Sequence, residues 1–147
     1  MKISDLISQH MIVASAKAEN KTKLLEDLAD KIAKRENLDK HVVRDAVIER
    51  EKLGSTGFGS GIAFPHARVE GVKKVRIVFA KLAEPIDFCA VDDKPVDLVF
   101  MLVSPENSGA DHLNALALLS SVAKNEKLCS KLRQADTQEK LYKLLIR

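Results

Sequence analysis

The sequence predicts an α/β fold, a single-domain sandwich in which a mixed β-sheet is flanked by helices on both faces. Segments with helical periodicity stand toward both ends of the chain, and short apolar segments typical of strands stand between them. The chain has 147 residues, of which 46% are hydrophobic and 31% are charged. This length and composition suit one domain, residues 1–147, with a hydrophobic core of its own.

Four apolar segments are predicted to be strands: residues 12–15, 62–64, 75–82 and 96–103. The last two are the longest and contain several β-branched residues, which favour strands. A glycine-rich loop, residues 54–61, separates the first helical region from the second strand.

Two helices are predicted between the first strand and the glycine-rich loop. Within residues 20–37, apolar residues recur at the spacing of one helix face. Asn20 is placed to cap the start of this helix, and Asn37 is placed to end it. Asp39 is placed to cap a second helix that ends near Leu53.

The last third of the chain is predicted to be helical from about Asp111 onward. Asp136 and Glu139 stand at capping-box spacing before a final helix. Residues 124–147 hold seven Lys or Arg and three Asp or Glu, a net charge of +4, whereas the whole chain carries +3. We interpret this excess as a solvated helix face; a weak docking patch for an acidic partner is the alternative.

Composition excludes several classes of protein. The chain has no tryptophan and one tyrosine, so aromatic platforms for nucleic acid are not expected. Cys89 and Cys129 lack metal-site spacing, which predicts reduced thiols and no zinc. The N-terminus lacks the long apolar segment of a signal peptide, and the longest apolar run, residues 98–103, is too short to span a bilayer. We therefore expect a cytoplasmic protein without direct membrane insertion.

The glycine-rich loop does not have the pattern of a nucleotide-binding loop. It follows a helix and leads into a strand, whereas a dinucleotide loop follows a strand and opens a helix, and no GK[ST] motif is present. The simplest interpretation is a loop that needs positive φ angles and close backbone approach. Its N–H groups, together with Ser55 and Thr56, are candidates for binding an anion such as phosphate.

His66 is the first candidate for a reactive residue. It follows Pro65, which lacks an N–H donor, so we expect regular strand pairing to end there and the histidine to lie at the sheet edge. A lone histidine in a protein of this size is more often structural than reactive. Two further residues favour the functional interpretation.

Arg50 and His112 are these two residues. On the second helix, Val43 and Val47 define an apolar stripe that Arg50 continues, which directs its guanidinium toward the glycine-rich loop. His112 stands in the first turn of a later helix, on the same face as Leu116. The alternatives are an arginine at the edge of the stripe and a half-buried histidine that packs and is hydrogen-bonded to a backbone carbonyl.

Two histidines, an arginine and a loop of N–H donors suit phosphate better than a metal ion. Zinc requires a third protein ligand, for which the sequence offers no clear candidate. A neutral imidazole is a competent nucleophile toward a phosphoryl group near pH 7. We therefore expect no metal and no cofactor.

Three segments carry a resemblance to a known family. EREKLGSTGFGSGIAFPHAR (49–68), PVDLVFMLVSP (95–105) and HLNALALLSSVAK (112–124) resemble the type-2 IIA domain of the bacterial phosphoenolpyruvate-dependent phosphotransferase system, the fructose/mannitol family. REKLGSTG and PHAR are most similar to the nitrogen-regulatory members. The resemblance extends over nearly the whole chain.

The resemblance implies a phosphohistidine carrier. It implies that His66 accepts a phosphoryl group from an HPr-type phosphocarrier protein and that Arg50 and His112 lie in the same site. Nitrogen-type members bind regulatory targets, including potassium-transport proteins, according to their phosphorylation state. The alternative is a stand-alone sugar-specific IIA that passes the phosphoryl group to a fructose- or mannitol-type IIB. A third possibility is a small-molecule enzyme or an interaction module in which His66 is structural.

Overall fold

The computed structural model describes all 147 residues and contains a six-stranded sheet and six helices. The strands are β1 Ile12–Ala16, β2 Gly57–Gly59, β3 Ile62–Ala63, β4 His66–Arg68, β5 Arg76–Ile86 and β6 Val96–Ser104. The helices are α1 Ile3–Leu6, α2 Lys21–Glu36, α3 Lys40–Leu53, α4 Ala110–Lys124, α5 Glu126–Gln134 and α6 Gln138–Leu145, and a 3-10 turn at Gln9–Met11 leads into β1. No helix is both long and apolar enough to cross a membrane.

The sheet is mixed, as the sequence predicts. Its order is β1-β5-β6-β3-β2, and β4 also pairs with β6. β1 runs parallel to β5, β5 runs antiparallel to β6, and both β3 and β4 run parallel to β6. Two short strands in succession therefore share one edge of β6.

β6 is the centre of the core. Its residues from Leu98 to Val103 are all 1% exposed or less, so both faces of the strand are covered. A strand buried on both faces is encoded by a continuous apolar run, here LVFMLV (98–103). Phe100 packs on Phe79 of β5 with ring centroids 4.6 Å apart. The sandwich architecture with helices on both faces is confirmed.

The predicted helix ends in the first half of the chain are confirmed. The Asn20 side chain accepts a hydrogen bond from the Lys23 N–H at the start of α2. Asn37 adopts a left-handed conformation with φ 57° at the end of this helix, which asparagine tolerates well. The Asp39 side chain accepts from the His41 N–H at the start of α3.

Two local predictions are wrong. Strand pairing does not end at Pro65: the Pro65 carbonyl accepts from the Leu102 N–H at 2.9 Å, and β4 begins at the next residue. A proline loses only its donor, so its carbonyl still joins the ladder. Asp136 does not cap α6; the Thr137 side chain does, by accepting from the Lys140 N–H at 3.1 Å. Asp136 instead pairs with the Lys140 ammonium.

The corrected cap makes a stability prediction. Thr137→Ala removes the acceptor for an N–H group of the first turn of α6, and we expect it to lower the free energy of unfolding by about 1 kcal/mol. Asp136→Ala breaks only an exposed ion pair, which water and salt screen, so we expect a much smaller change. Urea unfolding of both variants measures the difference, and an equal loss in the two would contradict the assignment of the cap.

Candidate functional site

One open cleft brings the candidate residues together. Its volume is about 370 Å³, and α3, β4 and the first turn of α4 form its walls. The lining residues are Ala46, Arg50, His66, Ala67, Arg68 and His112. Three of the five residues singled out from the sequence, Arg50, His66 and His112, are therefore neighbours in space.

His66 has one ring nitrogen committed to the backbone. It is the first residue of β4, opposite Leu102 of β6, and its Nδ1 lies 2.8 Å from the carbonyl oxygen of Phe64. A carbonyl oxygen only accepts hydrogen bonds, so Nδ1 carries the proton. The lone pair of the neutral ring is consequently on Nε2, which is the nucleophilic atom.

The surroundings of His66 keep its imidazole neutral. Burial is the largest effect and lowers the pKa below its usual value of 6.5. The bond to the Phe64 carbonyl opposes this effect, the positive charge of Arg50 adds to it, and the negative charge of Glu51 opposes it again. At pH 7 the ring is therefore a nucleophile and not a cation.

His112 is buried beside His66. It is 6% exposed, lies in the first turn of α4, and its ring centroid is 5.5 Å from that of His66. Its Nδ1 forms a short hydrogen bond with the hydroxyl of Ser104, where a backbone carbonyl was the expected partner of a packing histidine. Burial, followed by the charges of Arg68 and His66, lowers the pKa of His112 to about 4. This residue is neutral throughout the physiological range.

Arg50 reaches the cleft, but it does not continue the buried stripe of α3. The buried residues of this helix are Val43, Val47 and Glu51, spaced four residues apart, and Arg50 is half-buried at the border of the stripe. Its Nη1 donates to the carbonyl of Gly54 at 3.0 Å. The expectation of a guanidinium near the glycine-rich loop holds, whereas the expectation of a position on the buried stripe is wrong.

Ser55 and Thr56 are not brought into the cleft. The Ser55 hydroxyl donates to the Phe88 carbonyl at 2.6 Å, and both the N–H and the hydroxyl of Thr56 donate to the carboxylate of Glu51. At Gly57, a Cβ atom would lie 2.7 Å from the Cβ of Ala90, so close backbone approach explains that glycine. We do not include Ser55 and Thr56 in the proposed site.

Two residues of the site region were missed by the sequence analysis. Glu51 is 7% exposed and pairs with the Lys21 ammonium at 2.7 Å, in addition to its bonds with Thr56. Arg68 lines the cleft from β4, two residues after His66. Both could have been found from spacing. Glu51 lies four residues after Val47 and so falls on the same face of a helix, and Arg68 lies two residues after His66 and so falls on the same side of a strand.

The cleft has an excess of positive charge. Neither Arg50 nor Arg68 forms an ion pair, since their guanidinium groups donate to a carbonyl and to the hydroxyl of Ser108. The two histidines beside them have lowered pKa values and are neutral. No cluster of three His, Cys, Asp or Glu side chains is placed to hold a metal ion. Two unpaired guanidinium groups beside a neutral nucleophile suit a dianion such as a phosphoryl group.

The fold and the cleft thus define a small α/β protein with a neutral histidine in a cationic cleft, and comparison with known proteins gives the family. The profile described as "Phosphoenolpyruvate-dependent sugar phosphotransferase system, EIIA 2" matches residues 5–147. The nitrogen regulatory protein of Bradyrhizobium diazoefficiens is 38% identical over 145 residues, 99% of this chain and 95% of that one. The chain belongs to the type-2 EIIA family of this phosphotransferase system, whose members are components of phosphoryl transfer.

Two further similarities give the position of the chain within the family. The crystal structure of nitrogen regulatory protein IIA-Ntr from Neisseria meningitidis superposes with a TM-score of 0.92 at 33% identity, over 97% of this chain and 98% of that chain. The fructose-specific EIIA component of Haloferax volcanii is 41% identical over a shorter stretch of 107 residues, 73% of this chain and 70% of that one. The extended matches favour the nitrogen-regulatory type.

The buried neutral state of His112 predicts a loss of stability in acid. Its pKa is about 4 in the folded protein and 6.5 in the unfolded chain, so between these values only the unfolded chain binds the proton. The free energy of unfolding should therefore fall as the pH drops from 6.5 to 4, by up to roughly 3 kcal/mol from this group. His112→Gln should have a flatter profile in denaturant unfolding at pH 7 and pH 4.5. His66 contributes in the same direction in the parent and in the His112→Gln variant. Identical slopes of unfolding free energy against pH in these two proteins would contradict the lowered pKa assigned to His112.

Proposed function

We propose that this chain is a phosphohistidine carrier of the nitrogen-regulatory type, a single IIA domain across residues 1–147 that acts in the cytoplasm. In this proposal, Nε2 of His66 takes a phosphoryl group from an HPr-type phosphocarrier, and the phosphorylation state controls which regulatory protein the chain binds. Targets related to nitrogen and potassium metabolism are those that the resemblance implies. No metal or cofactor takes part.

The observation that carries the proposal is the tautomer of His66. The Phe64 carbonyl holds the proton on Nδ1, so the lone pair is on Nε2 of a neutral ring that lines a cationic cleft. A histidine used only for packing does not require unpaired guanidinium groups near its second nitrogen. The open cleft also suits a protein donor, because an enclosed pocket would exclude one.

The transfer step balances without a further reagent. The Nε2 lone pair of His66 forms the new N–P bond while the N–P bond of the donor's phosphohistidine breaks, and that electron pair returns to the donor nitrogen. The proton on Nδ1 stays, so the phosphorylated ring becomes cationic. The carbonyl of Phe64 and the nearby carboxylate of Glu51 stabilise this positive charge.

In this proposal, Arg50 and His112 bind the phosphoryl group or position the His66 ring that carries it. The Arg50 guanidinium has no carboxylate partner and is free to bind phosphoryl oxygens. The Nδ1 of His112 is engaged with the Ser104 hydroxyl, which leaves Nε2 for a phosphoryl oxygen or for positioning the His66 ring. Because its pKa is about 4, His112 acts as a neutral hydrogen-bonding group and not as a charge.

A sugar-specific IIA remains the second candidate, since a fructose-specific EIIA component is among the similar proteins. The mannitol IIA of Escherichia coli, which has the same fold at 22% identity and a TM-score of 0.78, forms a complex with phosphorylated mannitol IIB. The same cleft would serve in both roles. The two candidates differ in whether the phosphoryl group leaves for a IIB protein.

Labelling of His66 tests the proposed chemistry. Incubation with a phosphorylated HPr-type donor should give an acid-labile, base-stable label that His66→Ala abolishes while its melting temperature stays close to that of the parent. His10→Ala and His41→Ala change exposed histidines outside the cleft and should keep the label. Undiminished labelling of His66→Ala would overturn the assignment, and transfer to a fructose- or mannitol-type IIB would favour the second candidate.

Variants of Arg50 and His112 test the assisting roles. Losing one charge-assisted hydrogen bond in the transition state slows transfer on the order of ten- to a hundredfold. We expect this loss for Arg50→Ala, with little change in melting temperature because the side chain is half-buried. His112→Gln keeps a donor and should be slowed less than His112→Ala, with the label still on His66 in both. If Arg50→Ala lowers stability and leaves the transfer rate of folded protein normal, Arg50 is a packing residue.

A further inference from the structure

The cleft contains a cation that the proposed chemistry has not yet used, Arg68. Side chains alternate along a strand, so Arg68 lies on the same side of β4 as His66, while Ala67 between them is buried on the other side. The register with β6 places Arg68 opposite Ser104, the residue whose hydroxyl binds His112. Arg68 is therefore next to both histidines.

A second guanidinium beside Arg50 would strengthen the binding of a phosphoryl group in the cleft. A phosphoryl group carries a charge of about −1.5 to −2 near pH 7. Arg50 supplies one positive charge, and His112 supplies none because its pKa is about 4. Lys21, the other cation in this region, is already paired with Glu51. Arg68 is the guanidinium that remains.

The present contact of Arg68 is easily exchanged. Its Nη1 donates to the hydroxyl of Ser108 at 2.6 Å, and Arg68 itself is exposed. A hydroxyl is a neutral acceptor, whereas an oxyanion attracts the positive charge of a guanidinium and accepts two parallel hydrogen bonds from it. Ser108 belongs to the turn between β6 and α4, and its N–H donates to the Pro105 carbonyl within this turn.

We infer that Arg68 is a second phosphoryl-binding residue of this cleft, which releases Ser108 and binds the phosphoryl oxygens on Nε2 of His66. The inference rests on the proposed function. Arg50 and Arg68 then hold the phosphoryl group from α3 and β4. Because Arg68 releases Ser108 in the phosphorylated state, the turn that leads into α4 loses the hydrogen bond from Arg68 to Ser108. The surface of this turn then differs between the two phosphorylation states, and a partner protein that binds there distinguishes them.

The test uses phosphoramidate, a small donor of phosphoryl groups to histidine, so that docking of a protein donor does not affect the result. Arg68→Gln should label ten- to a hundredfold more slowly than the parent. It should also raise the pKa of the phosphoryl group on His66, followed by ³¹P NMR, because a nearby cation favours the dianion. Arg35→Gln removes an equal charge from an exposed site of α2 outside the cleft and is the matched control.

Ser108→Ala separates binding of the phosphoryl group from support of the turn. If Arg68 acts only by holding Ser108, the two variants should have equal effects on labelling and on the ³¹P titration. The inference predicts a much larger effect for Arg68→Gln. Equal effects, or an Arg68→Gln protein that matches the parent in rate and phosphoryl pKa, overturn it and leave the proposed function intact. Absence of label in the parent with both phosphoramidate and a phosphorylated HPr-type donor overturns both.

Discussion

The edge of β6 is the constraint on which the site depends. Two short strands occupy this edge in succession, β3 opposite Leu98 and Val99 and β4 opposite Leu102 to Ser104. Between them, the Pro65 carbonyl still accepts from the Leu102 N–H, whereas the Phe64 N–H is directed away from β6 and the Phe64 carbonyl accepts from Nδ1 of His66. This contact sets the tautomer of the histidine, and the pairing of β4 with β6 fixes the position of its ring.

The glycine-rich loop supports Phe64 from the side opposite to β6. The Phe64 N–H donates to the Thr56 carbonyl at 3.0 Å, and the Thr56 N–H donates to the Glu51 carboxylate at 2.8 Å. Three hydrogen bonds thus run in series from a buried carboxylate of α3 to the Nδ1 proton of His66. Together these bonds fix the position of the Phe64 carbonyl that accepts from the imidazole. The loop that resembles an anion-binding motif is a structural support of the nucleophile.

The sequence was sufficient for those features that depend on local chemistry. The caps at Asn20 and Asp39 follow from side chains that bind N–H groups within the same turn, and the β6 strand follows from an uninterrupted apolar run. His66 could be found because Pro65 marks an irregularity in the chain. Arg50 and His112 were indicated by their places on two helices, and the family resemblance implies that they share a site with His66.

The parts that could not be predicted depend on which segments meet. Whether Pro65 ends pairing is decided by the Leu102 N–H, which is 37 positions away in the chain (102 − 65). The roles of Ser55 and Thr56 are decided by Phe88 and by a carboxylate that local pattern alone did not mark as buried. Thr137 and Asp136 are equally good capping residues by type, and only the backbone path of α6 selects between them.

Neutral histidines and unpaired arginines are two consequences of one electrostatic arrangement. Burial lowers the pKa of both His66 and His112, and the guanidinium groups of Arg50 and Arg68 respectively lower them further. Without a bound anion the cleft thus carries its positive charge on groups that cannot release a proton, while its nucleophile stays unprotonated. A phosphoryl group on His66 would reverse the balance, because its negative charge favours a protonated imidazole next to it. In the proposed function, this unpaired positive charge favours binding of the phosphoryl group, and the inferred release of Ser108 by Arg68 changes the hydrogen bonding of an exposed residue.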